Sequence, residues 1–269
     1  MLDPQEIDEL ASFALELADA AAAVTLPHFR SGLEVDNKRG RFAFDPVTAA
    51  DRDGEEAIRK LIGERYPEHG IFGEEHGKET GTSPLTWVID PIDGTRSFIS
   101  GVPLWGTLIG LNDGERPVIG LMDQPYIGER FIGRPGGSEL IGPMGTVPLK
   151  TSACTKIEDA LIGNTDPAMF NVEDEKAAFR EISSKARLRR FGGDCYFYCL
   201  LAGGTLDLVI ESGLQPYDIQ ALIPVIENAG GVVTSWSGGD AQNGGQVVAA
   251  ANYELHEQAL KILEQAAND

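Results

Sequence analysis

The chain has 269 residues, of which 42% are hydrophobic, and its 42 acidic and 22 basic residues give a formal net charge of −20. This length and apolar content predict one large globular unit or two closely packed domains, and they exclude a disordered chain. A strongly acidic surface repels nucleic-acid phosphates and anionic membranes, which disfavours both as partners. The acidic N-terminal stretch does not resemble a signal peptide, and no apolar run approaches the roughly 20 residues of a membrane span. We therefore expect a cytoplasmic protein.

Two amphipathic helices are predicted near the start of the chain. Asp3 and Pro4 form a helix-start signal, and apolar residues then recur at three- and four-residue steps. A second helix is expected from Thr48, because Thr48 and Asp51 have the spacing of a capping box. From about residue 71 to 149, apolar runs alternate with Gly, Pro and Asn-Asp-Gly turn signals, which predicts a meander of antiparallel strands.

Strands and helices alternate after about residue 150. Strands are expected over residues 160–164, 206–212, 232–236 and 246–251. Helices are expected over residues 173–184, 194–202 and 218–229, with a final helix from about residue 254. Alternation of this kind is typical of an α/β layer. The sequence thus predicts an α+β half over residues 1–150 and an α/β half over residues 151–269, with no flexible linker.

The segment WVIDPIDGTRSF, residues 87–98, carries the most informative group of polar residues. Asp90 ends a predicted strand, and Asp93 follows it in a turn that contains Pro and Gly. The amides of Gly94 and Thr95 would point outward at the start of a helix. Two carboxylates beside outward-pointing amides suit a cation together with a phosphate. In isolation, a turn with Asx-type hydrogen bonds would explain the same letters.

Two acidic residues elsewhere in the chain give this segment its context. Glu74 follows a short apolar strand in the stretch Gly-Glu-Glu-His-Gly, residues 73–77. Asp218 begins an apolar helix, where the helix macrodipole favours a negative charge, although a simple N-cap would also explain it. Acids at the ends of several predicted elements favour a functional site over an ordinary turn.

These motifs carry a resemblance to a known family. The stretches GEE (73–75), WVIDPIDGT (87–95), YD (217–218) and AGG (229–231) are similar, in order and spacing, to the signature elements of the inositol monophosphatase family. The resemblance covers nearly the whole chain. It implies a layered αβαβα sandwich of the inositol monophosphatase and fructose-1,6-bisphosphatase type. It also implies a Mg²⁺-dependent phosphomonoesterase that acts on a small-molecule phosphate monoester and forms a homodimer.

The resemblance assigns metal-binding roles. One Mg²⁺ would be held by Glu74, Asp90 and the carbonyl of Ile92, and a second by Asp90, Asp93 and Asp218. A third, weaker Mg²⁺ near Glu74 is common in the family. Oxygen ligands of this kind select Mg²⁺ rather than zinc, and two such ions can stabilise the attacking and leaving oxygens.

The resemblance also assigns catalytic roles. Glu74, helped by the Thr95 hydroxyl, would deprotonate the metal-bound water that attacks phosphorus, without a phosphoenzyme. The amides of Gly94 and Thr95 would hold the phosphate oxygens. Asp51 would orient Thr95, with its capping-box role left open, and Lys38 would face the metal site.

Substrate choice is expected to depend on residues away from the metal ligands. The stretches 93–103, 105–111 and 190–196 look like those of the histidinol-phosphatase branch, whose substrate in histidine biosynthesis carries an ammonium group and an imidazole. Asp194 and Glu211 would make the alcohol side of the pocket negative, which suits an amine. A helix N-cap would also explain Asp194. The proposed substrate-binding residues are Arg190, Gly192, Gly193, Asp194 and Glu211.

Several alternatives remain open from the sequence. The chain could hydrolyse inositol 1-phosphate, fructose 1,6-bisphosphate or a 3′-phosphoadenosine compound. A catalytically inactive, metal-binding regulatory protein is disfavoured because every expected metal ligand is present. Arg187, Arg189 and Arg190 form either a solvated face or a basic group beside the mouth of the substrate site.

Overall fold

A computed structural model describes residues 2–31, 36–37 and 46–268. Helix α1 spans Pro4–Thr25, and α2 spans Ala49–Arg65. Between them, the short strands β1 (Asp36–Asn37) and β2 (Pro46–Val47) pair with each other. Both predicted helix starts are confirmed, because Asp3 caps α1 and Thr48 caps α2, each in a capping box.

An eight-stranded sheet follows the first two helices. Its strands in chain order are β3 (Gly70–Gly73), β4 (Gly77–Glu79), β5 (Thr86–Asp93), β6 (Gly106–Asn112), β7 (Pro117–Gln124), β8 (Glu129–Arg134), β9 (Gly137–Gly142) and β10 (Gly145–Pro148). The predicted antiparallel meander is confirmed from β5 to β10 and is wrong at one place, because β3 pairs with β5 in parallel. The parallel pairing brings the carboxyl ends of β3 and β5 to the same edge of the sheet.

A five-stranded mixed sheet forms the second half of the fold, in the order β12-β11-β13-β15-β14. Its strands are β11 (Leu161–Asn164), β12 (Leu188–Phe191), β13 (Leu208–Leu214), β14 (Val232–Ser235) and β15 (Gly245–Ala250). The helices of this half are α4 (Glu173–Lys185), α5 (Asp194–Ala202), α6 (Pro216–Ile219), α7 (Leu222–Glu227) and α8 (Tyr253–Leu263), and the remaining helix, α3 (Thr95–Ser100), lies in the first half.

The predicted continuous helix over residues 218–229 is wrong. The structure begins this region two residues earlier, at Pro216, and divides it into α6 and α7. Pro224 lacks the N–H group that a continuous helix would donate to the carbonyl of Gln220, so the helix is interrupted before it. Pro216 takes the first helical position because its fixed φ and missing N–H are compatible with a helix start.

The elements stack in five layers. Side chains of α1 and α2 form a core with one face of the eight-stranded sheet. Side chains of α5 and α7 pack between the opposite face of that sheet and the five-stranded sheet. Helices α4 and α8 cover the outer face of the five-stranded sheet. This αβαβα arrangement confirms the predicted fold class, and the division into two domains near residue 150 stays a prediction.

Helix α1 differs from the expectation that no segment approaches the size of a membrane span. Residues 4–28 form a helical stretch that is long and apolar enough to cross a membrane by length and composition. That criterion alone says little, because the core helix of a soluble protein meets it as well. The apolar face of α1, which includes Phe13, Leu17 and Ala21, is buried against the sheet.

Candidate metal centre and substrate pocket

Three predicted metal ligands meet at the carboxyl end of β5. Carboxylate oxygens of Asp90, Asp93 and Asp218 all lie within 4.8 Å of one another. Asp90 and Asp93 come from β5 itself, and Asp218 is the third residue of α6. Glu74 directly follows β3, and its N–H donates a hydrogen bond to the carbonyl oxygen of Ile89 at 3.3 Å. The fold thus brings the four predicted carboxylate ligands to one edge of the sheet.

Electrostatics show that this cluster is unfavourable without a cation. Burial, followed by the charges of Glu74, Asp93 and Asp218, raises the pKa of Asp90 well above its usual value. Burial also raises the pKa of Asp218 to about 7, with Glu74 contributing. Carboxylates that are buried together resist ionisation unless a cation compensates them. An all-oxygen donor set of this charge fits Mg²⁺, which prefers carboxylates and carbonyls.

The loop after Asp90 is folded by its own polar groups. The N–H of Ile92 donates to Asp90 Oδ1 at 2.9 Å. Gly94 has a φ of 83°, in the left-handed region that glycine adopts most readily, and it precedes the first residue of α3. The Thr95 hydroxyl lies 3.1 Å from the carbonyl oxygen of Ile92 and 3.5 Å from Asp51 Oδ1. The predicted proximity of Asp51 to Thr95 is therefore present.

Asp51 takes part in both interactions that the sequence left open, the capping box of α2 and the contact with Thr95. Its Oδ2 accepts hydrogen bonds from the N–H of Thr48 at 2.8 Å and from the Thr48 hydroxyl at 2.6 Å. Its other carboxylate oxygen faces Thr95. Burial raises the pKa of Asp51, the Thr48 hydrogen bonds lower it by less, and the charge of Glu74 raises it further. One carboxylate thus caps α2 and reaches the candidate site.

Asp194 also contacts the loop that follows Asp90, at Gly94. A Cβ atom at Gly94 would be 3.1 Å from the Asp194 carboxyl carbon, so the two residues are in close contact. Asp194 Oδ2 accepts a hydrogen bond from the Ser97 hydroxyl at 2.9 Å. The N-cap explanation is wrong, because Gly193 occupies the cap position of α5 and no side chain caps that helix. Asp194 instead has a φ of 43°, a conformation that costs free energy outside glycine.

Glu211 lies on β13 and is only 2% exposed. It accepts hydrogen bonds from the N–H of Thr165 at 2.9 Å and from the Tyr198 hydroxyl at 3.1 Å. Burial raises its pKa to about 7, and the charge of Asp194 contributes to the same shift. The charge of Asp194 therefore acts on the carboxyl group of Glu211.

The other predicted substrate residues have different positions. Gly192 and Gly193 connect β12 to α5, and the N–H of Gly192 lies 2.9 Å from the carbonyl oxygen of Thr165. Arg190 is exposed on β12. Arg187 and Arg189 are exposed as well, and the exposure of all three agrees with a solvated face. Lys38 lies outside the described residues. The roles assigned to all these side chains stay predictions.

Three groups that hold the side chains of Asp194 and Glu211 in place were not predicted from the sequence. Ser97 donates to Asp194, while Tyr198 and the backbone of Thr165 donate to Glu211. Ser97 lies inside the motif WVIDPIDGTRSF, so its position close to the loop was available from the sequence. No pattern in the sequence indicates the contacts of Thr165 or Tyr198 with Glu211, because these residues belong to separate elements of the second half of the fold.

The αβαβα fold of this chain is the fold of inositol monophosphatase structures. A solved structure of an inositol monophosphatase from Zymomonas mobilis has a TM-score of 0.84 with this chain and is 39% identical over 96% of this chain and 98% of that one. The chain also matches the model of the inositol monophosphatase family over residues 6–268. It belongs to this family, which makes it a phosphatase, and the members of the family are metal-dependent.

Curated relatives carry more specific names. The chain is 42% identical to the Bifunctional phosphatase IMPL2, chloroplastic, of Arabidopsis thaliana, over 98% of this chain and 77% of that protein. It is 35% identical to the histidinol-phosphatase of Chlorobaculum parvum, over 89% of this chain and 90% of that one. An inositol-1-monophosphatase of Mycolicibacterium smegmatis is 31% identical over 98% of this chain and 95% of that one.

Proposed function

We propose that this protein is a Mg²⁺-dependent phosphatase that hydrolyses L-histidinol phosphate to L-histidinol and phosphate. The observation that carries the proposal is the position of Asp194, whose carboxyl lies against Gly94 of the predicted phosphate-binding loop. A carboxylate at this place can accept a charge-assisted hydrogen bond from an ammonium group of the substrate. Relatives named histidinol-phosphatase at 35%, 33% and 32% identity support the same choice.

One set of groups would hold the metal ions of the proposed reaction. Bound Mg²⁺ would supply positive charge that activates water and stabilises the leaving oxygen. Glu74, Asp90, Asp93 and Asp218, with the carbonyl of Ile92, would hold the two ions. A third ion beside Glu74 is also part of the proposal.

The remaining groups would act on the water and the ester. Glu74 would accept a proton from the attacking water, and the Thr95 hydroxyl, oriented by Asp51, would fix the position of that water. The amides of Gly94 and Thr95 would donate hydrogen bonds to the phosphate oxygens. These donors would stabilise the negative charge that develops on phosphate during the displacement.

The recognition of the alcohol would depend on two acids. Asp194 is held by the Ser97 hydroxyl, and Glu211 is held by Thr165 and Tyr198. Together they would place negative charge beside the ammonium or imidazole group of histidinol phosphate. A neutral polyol such as inositol gains less from this charge, because it offers only hydroxyl donors.

Inositol-1-monophosphatase is the second candidate function. It is favoured by the inositol-1-monophosphatase of Mycolicibacterium smegmatis, at 31% identity, and by a relative of Solanum lycopersicum named inositol monophosphatase 1, at 30% identity. We further propose that the protein is cytoplasmic and forms a homodimer. Light scattering coupled to gel filtration would test the dimer, and a mass of one chain, 28.9 kDa, would contradict it.

Phosphate release from four esters in Mg²⁺ buffer tests the proposed function. The four are L-histidinol phosphate, myo-inositol 1-phosphate, fructose 1,6-bisphosphate and 3′-phosphoadenosine 5′-phosphate. We expect the highest kcat/KM with histidinol phosphate and no release in the presence of EDTA. A higher kcat/KM with the inositol ester would select the second candidate, and the absence of release from every ester would indicate a protein without turnover.

A further inference from the structure

Glu55 is a buried charged residue that the proposed reaction does not use. It lies on α2, four residues after Asp51, and its exposed fraction is 0%. A buried carboxylate is costly unless hydrogen bonds and an opposite charge compensate it. The partners of Glu55 therefore indicate what its burial stabilises.

The carboxylate of Glu55 binds the turn that carries Glu74. Its Oε2 accepts a hydrogen bond from the N–H of Glu75 at 2.7 Å, and its Oε1 accepts one from the N–H of His76 at 3.1 Å. These are the two backbone amides that directly follow Glu74. Hydrogen bonds to a charged acceptor are about twice as strong as neutral ones, so they hold this turn in one conformation.

Gly73 makes the approach of Glu55 possible. A Cβ atom at this position would lie 2.1 Å from Glu55 Oε1, a distance that atoms cannot adopt without a shift. The glycine before Glu74 therefore serves close packing against α2. Any larger residue at position 73 would displace the carboxylate from the turn.

Arg59 compensates the charge of Glu55 and extends the contact. Its Nε donates to Glu55 Oε1 at 2.7 Å, within the same helix. Its Nη2 donates to the carbonyl oxygen of Gly77, and its Nη1 lies 3.4 Å from Glu79 Oε2. The pair thus joins one helix to the turn over residues 73–77 and to β4.

One face of α2 supports two separate parts of the candidate metal centre. Residues four apart in a helix project from the same face, so Asp51 and Glu55 point in the same direction. Asp51 reaches Thr95 in the loop after β5, and Glu55 reaches the turn after β3. The helix therefore fixes the distance between these two loops.

We propose that Glu55, paired with Arg59, is a positioning residue that holds Glu74 in place for Mg²⁺ binding. The inference rests on the proposed function, because Glu74 is a metal ligand only there. Partners that orient a metal ligand typically contribute about 10- to 100-fold to metal affinity. Glu55 acts on the metal through the backbone of the Glu74 turn and touches neither the ion nor the substrate.

Mg²⁺ titration of the purified chain by calorimetry tests this inference. We expect Glu55→Gln to weaken Mg²⁺ binding by about 10- to 100-fold, since it removes the charge that holds both amides. The KM for the phosphate ester at saturating Mg²⁺ should stay unchanged. Glu181→Gln is the matched control, because Glu181 pairs with Lys185 at the same spacing and at 2.7 Å on the exposed surface of α4.

Amide hydrogen exchange of the metal-free protein separates positioning from general stabilisation. We expect faster exchange at Glu75 and His76 in Glu55→Gln, with the exchange of the α4 amides unchanged. A variant with a lower Tm but the Mg²⁺ affinity of the wild type would overturn the inference.

Arg59→Lys is the second variant, in case Glu55→Gln does not fold. It keeps the positive charge but loses the fork that reaches Gly77 and Glu79, so a smaller loss of Mg²⁺ affinity is expected. Unchanged affinity in Arg59→Lys would overturn the inference. Failure of the wild type to bind Mg²⁺ would instead overturn the proposed function together with the inference.

Discussion

The metal side and the alcohol side of the candidate site are built in different ways. On the metal side, two carboxylates come from β5, Glu74 directly follows β3, which pairs with β5 in parallel, and Asp218 comes from α6. On the alcohol side, Asp194 begins a helix, and Glu211 lies on a strand of the other sheet. In the proposed function, the metal ligands thus come from motifs that are recognisable in the sequence, whereas substrate choice would depend on contacts between distant parts of the chain.

The largest expected effect is on the metal side. Asp90→Asn should lower kcat/KM by on the order of 10³-fold for every ester, because metal-ion stabilisation of the transition state contributes several kcal/mol. Steady-state phosphate release with each ester would measure this loss. Asp19→Asn is the control, since Asp19 is an exposed carboxylate that pairs with Arg130 at 2.7 Å. A loss confined to one ester would contradict the division between the two sides.

The next effect is expected on the alcohol side. Asp194→Ala should reduce kcat/KM for histidinol phosphate by about 10- to 100-fold, because a hydrogen bond to a charged group contributes about 1.5 to 3 kcal/mol. Activity on p-nitrophenyl phosphate, a small ester without an ammonium group, should be retained. Parallel assays with both esters would measure the difference. Equal losses on both would show that Asp194 has only a structural role.

A smaller effect is expected where α2 supports the Thr95 hydroxyl. Asp51→Asn should lower kcat by about 10-fold for all esters, because the orientation of Thr95 is weakened. Glu6→Gln is the matched control, since Glu6 occupies the same capping-box position in α1 as Asp51 does in α2. A pre-steady-state or kcat measurement that finds both variants equal to the wild type would limit Asp51 to helix capping.

The smallest effect concerns stability and pH. Asp90 and Asp218 have raised pKa values in the folded protein, so the folded state binds more protons than the unfolded state above the ordinary pKa of 3.8. The stability of the metal-free protein should therefore fall as the pH rises from about 4 towards 7. Thermal unfolding in EDTA at several pH values would measure this fall.

Two comparisons check the origin of that pH dependence. The fall in Tm should be smaller in Asp90→Asn, which has one titrating carboxyl fewer. Adding Mg²⁺ should raise the Tm most at neutral pH, where the carboxylates are ionised and bind the ion. A Tm in EDTA that rises between pH 5 and 7 would contradict the assignment of raised pKa values to this cluster.

The regular parts of the fold were predictable because their signals are local. The capping box at Thr48, the helix-start signal at Asp3 and the turn residues of the meander each act within a few positions. The parallel pairing of β3 and β5 was not predictable in this way, because the chain first forms β4 on the other edge of β3 and only then returns to form β5. The split between α6 and α7 depends on Pro224, whose effect the apolar pattern of the helix concealed.

The candidate site also has parts that were predictable from the sequence and parts that were not. The clustering of Asp90, Asp93 and Asp218 was predictable because their motifs resemble those of the family. The left-handed conformation of Asp194 and its contact with Gly94 were not predictable, since they result from the packing of α5 against the loop. Glu55 was missed because the two amides that it binds lie about 20 residues away, and nothing in the spacing of an acidic helix face distinguishes it from a solvated carboxylate.

One competition assay tests the central claim most directly, namely that the alcohol side selects an amine-bearing ester. Wild-type protein is mixed with Mg²⁺ and equal concentrations of L-histidinol phosphate and myo-inositol 1-phosphate, and the two free alcohols are followed over time. The initial ratio of products equals the ratio of the two kcat/KM values. We predict that histidinol accumulates first and in large excess. Inositol accumulating first would contradict the claim.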